Sequence, residues 1–291
     1  MPVQSELSTG EVVLRSAASS LRLNPGLGGA VCEFLWRDIH VLRPAAKGSA
    51  SDPFAYACFP LVPYANRIAQ GRFAFGGRSV RLEPNWEGSP HPLHGQGWRR
   101  PWRVVEATQT MARLALEGGG DGWPWVYSAQ QTYELSADAL KLTLELQNLA
   151  DLAIPAILGI HPYFPNAAKA RLQAELPLVW MTNDEILPIE KVPTPGPWSF
   201  SKERAVNTVI LDHCFEGWNG LAEMRWPNHR LKISATHCNC LHVYAPLDGG
   251  FFCVEPQTAA AGAIERGEYE SIALQPGATV TMSVRFEVGA T

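Results

Sequence analysis

A strict alternation in the middle of the chain constrains its fold most strongly. Between positions 140 and 147, leucine alternates with lysine, threonine, glutamate or glutamine. A period of two places all the leucines on one face of a β-strand, whereas leucines at this spacing would encircle a helix. We interpret the segment 136–139 as a hairpin turn to a preceding strand over 128–135. Weaker alternation predicts further strands over 111–116, 231–233 and 279–288.

The turn-forming residues indicate that these strands are numerous and short. The chain has 25 glycines and 23 prolines in 291 residues, and no long amphipathic helix, repeat or low-complexity linker is evident. Many short strands separated by Gly/Pro turns predict an all-β sandwich or barrel. The range 188–197 holds four prolines and is interpreted as an irregular surface loop. We expect one domain over residues 1–291.

Charge and composition exclude several classes of protein. The formal net charge is −4, and the longest basic run is Arg99–Arg100. Nucleic acid is therefore not expected as a partner, because binding it requires a basic surface. No apolar run reaches the roughly 18 residues of a membrane span, so no membrane partner is expected. The first ten residues do not resemble a secretion signal, and the six cysteines lack a CxxC motif, which predicts a cytoplasmic location and reduced thiols.

Two polar clusters in the first third of the sequence are candidates for binding. Asn66 and Arg67 lie inside an apolar segment, where an arginine is either a buried ion-pair partner or an anchor for ligand oxygens. His91 and His94 lie beside two glycines and precede Trp98. This second cluster fits a metal site, a sugar-binding loop or a plain turn.

Three further clusters contain groups that can transfer protons. His161 lies between apolar residues, where it is either a core histidine or a general acid or base. Asp212 and His213 are adjacent, so a strand would point their side chains to opposite faces. Glu255 ends an apolar run over 251–254, and partial desolvation there would raise the pKa of its carboxyl group and make it a better base. The alternative is a strand-end residue that faces solvent.

The segment 237–242 resembles a metal-binding cluster because it contains two histidines and two cysteines. Strand alternation would place His237 and Asn239 on one face, and Cys238, Cys240 and His242 on the other. Zinc sites usually separate paired cysteines by two to four residues. We therefore expect no metal at this segment.

Five strings in one order resemble the aldose 1-epimerase, or galactose mutarotase, family. They are ANRI at 65–68, HPLHG at 91–95, HPYF at 161–164, LDHCFEGW at 211–218, and VYAP with FFCVEPQT over 243–258. The resemblance covers about 26–288 and is greatest to short bacterial epimerase-like proteins. It implies a large antiparallel β-sandwich, the galactose mutarotase-like supersandwich, with a sugar cleft on one sheet. It assigns catalysis to Glu255 and His161, and sugar binding to Arg67, His94 and Asp212; we add Asn66 and Trp98 as substrate-binding candidates.

The resemblance predicts an enzyme that interconverts the α and β anomers of a hexose by opening the C1–O5 bond. Glu255 would act as the base at the C1 hydroxyl, and His161, as an imidazolium, would act as the acid at O5. Because only protons are transferred in this reaction, we expect no metal and no other cofactor. The chain departs from the family at Gln96, at Pro165 and over 258–262, which leaves the sugar open. The alternatives are a non-catalytic sugar-binding protein, a hexose-phosphate epimerase, and a zinc hydrolase that uses His91 and His94 with the catalytic pair. A monomer and a homodimer both remain possible.

Overall fold

The computed structural model describes residues 10–46, 52–246 and 250–291. About 52% of the chain is strand, and the one α-helix in the described residues is the single turn α1 (Tyr269–Ile272). The strands are β1 (Val12–Arg15), β2 (Ser19–Asn24), β3 (Ala30–Trp36), β4 (Ile39–His40), β5 (Pro60–Leu61), β6 (Arg72–Phe75), β7 (Arg78–Arg81), β8 (Arg103–Ala107), β9 (Met111–Gly120), β10 (Trp123–Leu135), β11 (Ala139–Asn148), β12 (Ile154–Pro155), β13 (Gly159–Ile160), β14 (Tyr163–Pro165), β15 (Arg171–Ala174), β16 (Leu178–Thr182), β17 (Pro188–Pro193), β18 (Arg204–Ala205), β19 (Leu211–Glu216), β20 (Leu221–Trp226), β21 (His229–Thr236), β22 (Cys240–Ala245), β23 (Phe251–Gln257), β24 (Ala273–Leu274) and β25 (Thr279–Gly289).

Two large antiparallel sheets dominate the fold. The nine-stranded sheet has the order β18–β15–β20–β21–β25–β11–β10–β9–β8. The eight-stranded sheet has the order β17–β16–β19–β22–β23–β13–β5, and β14 also pairs with β23. A four-stranded sheet, β1–β2–β3–β4, and two strand pairs complete the described part of the chain. These sheets confirm the predicted all-β class and the antiparallel pairing.

The leucine alternation forms the inner face of β11, in the nine-stranded sheet. All its leucines from 140 to 146 are buried. The predicted hairpin is confirmed, because β10 and β11 pair in register from Leu135 opposite Leu140. The leucines share one hydrophobic cluster with Val243 and Val254 of the eight-stranded sheet. This cluster fixes one large sheet against the other.

The prediction that 188–197 is irregular was wrong for its first half. Residues 188–193 form β17, which pairs with β16 at the edge of the eight-stranded sheet. Proline is tolerated there because an edge strand does not need every N–H group for pairing.

The sequence also predicted reduced thiols and no membrane-spanning segment. All six cysteines are buried and form no disulfide, and no helix in the described residues could span a membrane.

Candidate active site

Three neighbouring strands of the eight-stranded sheet bring three ionisable side chains to one face. Asp212 lies on β19, His242 on β22 and Glu255 on β23. His242 is directly opposite Glu255 in the β22–β23 register. On its other side, His242 is opposite Cys214, which has the same orientation as Asp212 two residues earlier. Strand alternation therefore aligns the acidic and basic groups in a row across the sheet.

His161 extends this row beyond Glu255. It follows β13, and its backbone N–H donates to the Phe59 carbonyl at 2.9 Å. Its ring lies between Phe59 and Tyr163, with centroid distances of 4.7 Å and 4.6 Å. This packing fixes the ring plane and brings His161 Nε2 to 3.3 Å from Glu255 Oε1. The two side chains predicted to be catalytic are thus in direct contact.

Two loop residues hold each other at the side of this row. The Asn66 N–H donates to His94 Nδ1 at 3.2 Å, and the His94 N–H donates to the Asn66 carbonyl at 3.0 Å. His94 Nδ1 is therefore an acceptor, which leaves the ring proton on Nε2. Gly95 has a φ of +70°, and a Cβ there would lie 2.3 Å from the Val62 carbonyl oxygen. The glycine after His94 is thus required for the loop to approach β5.

Asn66 also connects this loop to β23, the strand that carries Glu255. Its amide donates to Gln257 Oε1 at 2.6 Å, and Gln257 Nε2 donates to Glu255 Oε2 at 3.5 Å. Arg67 lines the same cleft, and among the described residues no carboxylate lies within 4 Å of its guanidinium. Its charge is therefore available to ligand oxygens, which favours the anchor over the ion-pair alternative.

These groups line a cleft of about 360 Å³, within the range of small-molecule sites. Its polar lining consists of Asn66, Arg67, His94, His161, Asp212, His242 and Glu255. Its apolar and aromatic lining consists of Phe54, Trp86, Leu93, Ile186 and Tyr244. A cleft with convergent donors and acceptors beside aromatic rings is suited to a polyhydroxylated ring with apolar C–H faces.

Burial determines the charges of the His161–Glu255 pair. Burial raises the pKa of Glu255 to about 8, although the charge of His242 opposes this shift. Burial also lowers the pKa of His161 to about 3, and the positive charge of His242 adds to the shift. Between these values the pair holds one proton, and that proton is on Glu255. The expectation of an imidazolium at His161 is therefore wrong for this structure, because burial disfavours the charged ring.

Asp212 and His242 form a second pair, of which only Asp212 was among the predicted site residues. His242 Nε2–H donates to Asp212 Oδ1 at 2.8 Å. Burial lowers the pKa of His242, but the charges of Glu255 and Asp212 and the Asp212 hydrogen bond outweigh burial and raise it to about 10. His242 is thus an imidazolium in the cleft. The sequence offered one signal for the position of His242, the strand alternation over 240–245, which puts His242 and Tyr244 on the same face of the strand.

Trp98 and His91 lie outside the cleft lining. Trp98 is fully buried, and its Nε1–H donates to the carbonyls of Leu93 and Gly95. The prediction that Trp98 contacts a sugar is therefore wrong, because the ring packs in the core below the His94 loop. His91 Nδ1 accepts from the Gln70 N–H, and its Nε2 lies 3.7 Å from Glu185. His91 therefore does not join His94, His161 and Glu255 as the zinc hydrolase alternative requires.

One group of donor atoms in the cleft region has the composition of a metal site. His161, Cys253 and Glu255 offer ligand atoms that lie within 4.8 Å of one another. Nitrogen, sulfur and oxygen donors of this kind suit zinc. The pKa of Cys253 is raised by burial and by the Glu255 charge. A metal would therefore have to displace a strongly held thiol proton.

Comparisons with known proteins agree with this fold and show the family of the chain. Residues 13–287 match the family model described as aldose 1-epimerase. The uncharacterised protein YphB of Escherichia coli K12 is 34% identical over 284 residues, covering 92% of this chain and 96% of YphB. A crystal structure of a candidate aldose 1-epimerase from the same organism superposes with a TM-score of 0.89 at 30% identity, covering 97% of this chain and 99% of that one. The aldose 1-epimerase of Escherichia coli K12 is 28% identical over 160 residues, 52% of this chain and 45% of that protein.

Proposed function

Because the chain belongs to the aldose 1-epimerase family, we propose that it interconverts the α and β anomers of a hexose. The observation that carries this proposal is the contact of 3.3 Å between His161 Nε2 and Glu255 Oε1 in the cleft. The two sugar oxygens that exchange protons, O1 and O5, are bonded to the same carbon. An acid and a base that serve both oxygens must therefore lie within a few ångströms of each other, as His161 and Glu255 do.

Sugar binding prepares the pair for ring opening. The C1 hydroxyl donates a hydrogen bond to Glu255, which stabilises the carboxylate, and O5 accepts a hydrogen bond from protonated His161. Both interactions favour transfer of the shared proton from Glu255 to His161. The bound sugar thus converts Glu255 into the base and His161 into the acid.

The proton transfers balance over the complete cycle. Glu255 takes the C1 hydroxyl proton while His161 gives its proton to O5, so the C1–O5 bond breaks and C1 becomes a carbonyl. Rotation about C1–C2 presents the other face of the carbonyl. His161 then removes the O5 proton, O5 attacks C1, and Glu255 returns a proton to O1. Only protons move, so the cycle consumes no cofactor.

The remaining cleft groups orient the sugar. Arg67 and the neutral ring of His94 provide donors, while Asp212 accepts from a hydroxyl with the oxygen not bonded to His242. Burial lowers the pKa of His94 well below its ordinary value, which keeps it neutral. Fixing the ring next to a positioned acid and base removes much of the entropic cost of the reaction.

Saturation-transfer NMR on a panel of aldoses and hexose 6-phosphates tests this function. We expect at least one sugar to show accelerated exchange between the α-C1 and β-C1 proton signals. The variant His229→Asn is a matched control, because His229 is buried but stacks on Trp226 in the nine-stranded sheet. Calorimetric binding of a sugar without accelerated exchange would instead support a non-catalytic sugar-binding protein.

A further inference from the structure

We propose that His242, held by Asp212, is a positioning residue whose positive charge keeps Glu255 available as the base. This inference rests on the proposed function, since it assigns a means by which the same site obtains its carboxylate. It concerns a residue outside the predicted catalytic pair. The sequence presented His242 only as part of an apparent metal cluster.

The sheet register provides the geometric basis. Directly opposed residues of an antiparallel strand pair have Cβ atoms about 4.5–5.5 Å apart. His242 and Glu255 are such a pair, so a charge on one ring lies beside the carboxyl group of the other strand. On the side of His242 that faces away from Glu255, a hydrogen bond of 2.8 Å to Asp212 Oδ1 holds the ring in place. The order across the sheet is thus carboxylate, imidazolium, carboxyl group and the His161 imidazole.

Among the groups around Glu255, His242 has the largest effect in favour of the ionised carboxylate. Among the described residues, the following titratable and charged groups interact with Glu255 or line the same cleft: Asp212 and Cys214 on β19, His242 and Tyr244 on β22, Cys253 on the same strand as Glu255, His161 after β13, Tyr163 on β14, Arg67 and His94 in the cleft loops, and Cys58 before β5. Of the influences that favour the carboxylate, the charge of His242 is the largest and that of Arg67 is smaller. The charge of Asp212 acts in the opposite direction.

Removing the imidazolium would leave two carboxyl groups, Asp212 and Glu255, in one buried cleft. Two carboxylates that share a site cannot both ionise readily, so one holds its proton more strongly. Asp212 would keep its charge, because its carboxyl group is the more accessible of the two. Glu255 would then hold the shared proton more tightly. The pKa of His161 would also rise, because the charge of His242 lowers it, but by less, because His161 lies beyond Glu255 in the row and a charge acts more weakly over a longer distance. Transfer of the proton from Glu255 to His161 would therefore become less favourable.

The first test measures charge states by NMR and does not depend on catalysis. In wild-type protein, the 15N shifts of His242 should show both ring nitrogens protonated up to pH 8, consistent with a pKa of about 10. The 13C carboxyl signal of Glu255 should titrate near pH 8. In His242→Gln, the Glu255 titration should move upward by about 1–3 pH units. A neutral His242 ring at pH 8, or an unmoved Glu255 titration, would overturn the inference.

The second test measures the pH dependence of kcat/KM for the sugar that exchanges fastest. The one-proton state of the pair is lost as pH rises through the pKa of Glu255, so the wild-type rate should fall above about pH 8. In His242→Gln, the maximal rate should fall about tenfold for each unit by which the rise in the Glu255 pKa exceeds the accompanying rise in the His161 pKa. The alkaline fall should move to higher pH in the same variant. His242→Lys, which restores a positive charge, should return the alkaline fall toward the wild-type position.

The two tests separate the inference from the proposed function. If wild-type protein accelerates no sugar but the NMR titrations behave as described, the proposed function fails and the charge relation holds. If the rate of His242→Gln is lower by the same factor at every pH, and the decrease of kcat/KM above about pH 8 does not move, His242 has a packing or sugar-contact role and the inference fails. His229→Gln serves as the control and should leave both the rate and the Glu255 titration unchanged.

Discussion

Glu255→Gln should abolish catalysis while it leaves the fold and sugar binding in place. Glutamine has nearly the same shape, its amide oxygen can accept from Gln257 as Glu255 does at 3.5 Å, and its NH₂ can donate to the neutral His161 ring. Sugar affinity should therefore change by about tenfold or less, as expected for one altered hydrogen bond. Anomer exchange should fall by about 10²-fold or more, because the amide cannot accept a proton.

The same substitution should stabilise the protein at alkaline pH. The pKa of Glu255 is about 8 in the folded protein against an ordinary value of 4.5. Below 4.5 the carboxyl group is protonated in both states, so its burial costs little. As pH rises toward 8, the unfolded chain ionises and the folded protein does not, so wild type loses stability, by on the order of 3–5 kcal/mol. The introduced amide does not ionise, and the variant should melt roughly 5–10 °C higher at pH 8 or above.

Two measurements on one preparation test both expectations. Saturation-transfer NMR and calorimetric titration give exchange and sugar affinity, while thermal melts at about pH 4.5 and above pH 8 give the stability difference across the titration range. Glu117→Gln is the matched control, because Glu117 is exposed on β9. Exchange within about a factor of two of wild type would remove Glu255 from the mechanism. A stability difference that does not grow with pH would refute the desolvated carboxyl group.

Three other perturbations test the same geometry. His161→Asn should fold normally and lose about 10²-fold or more of the exchange rate, because O5 lacks its proton donor; a loss smaller than twofold, measured by the same NMR assay, would return His161 to a core role. Trp98→Ala should lower the free energy of unfolding by about 3–5 kcal/mol, measured by urea denaturation, because the ring is fully buried; lost sugar affinity at unchanged stability would place Trp98 at the sugar after all. Activity should survive dialysis against EDTA, and loss of activity that added zinc restores would contradict the cofactor-free cycle and implicate the His161, Cys253 and Glu255 donors.

The strands were predictable because their signal is local. Side chains alternate across any strand, so the leucines of 140–146 reveal β11 without knowledge of its neighbours. The prediction of an irregular loop was wrong over 188–193 because the information needed there is not local. Proline excludes a segment from the centre of a sheet, but only the sheet order shows that β17 is an edge strand.

The predicted site residues converge on the cleft with one exception. Asn66, Arg67, His94, His161, Asp212 and Glu255 all line it. Trp98 does not, because a tryptophan next to a binding loop has the same local sequence whether its ring faces the cleft or the core. His242 was overlooked for a related reason. Its partners are 30 residues away on β19 and directly opposite on β23, and only the strand register brings them together.

The sequence by itself determined which groups the protein has for acid–base chemistry and which residues alternate across its strands. These properties depend on residue type and on the local geometry of the backbone. Only the tertiary structure decided where the protons reside. The pKa values of Glu255, His161 and His242 depend on burial and on charges contributed by other strands. Those influences exist only after β19, β22 and β23 have paired and water has been excluded from the sheet face between them.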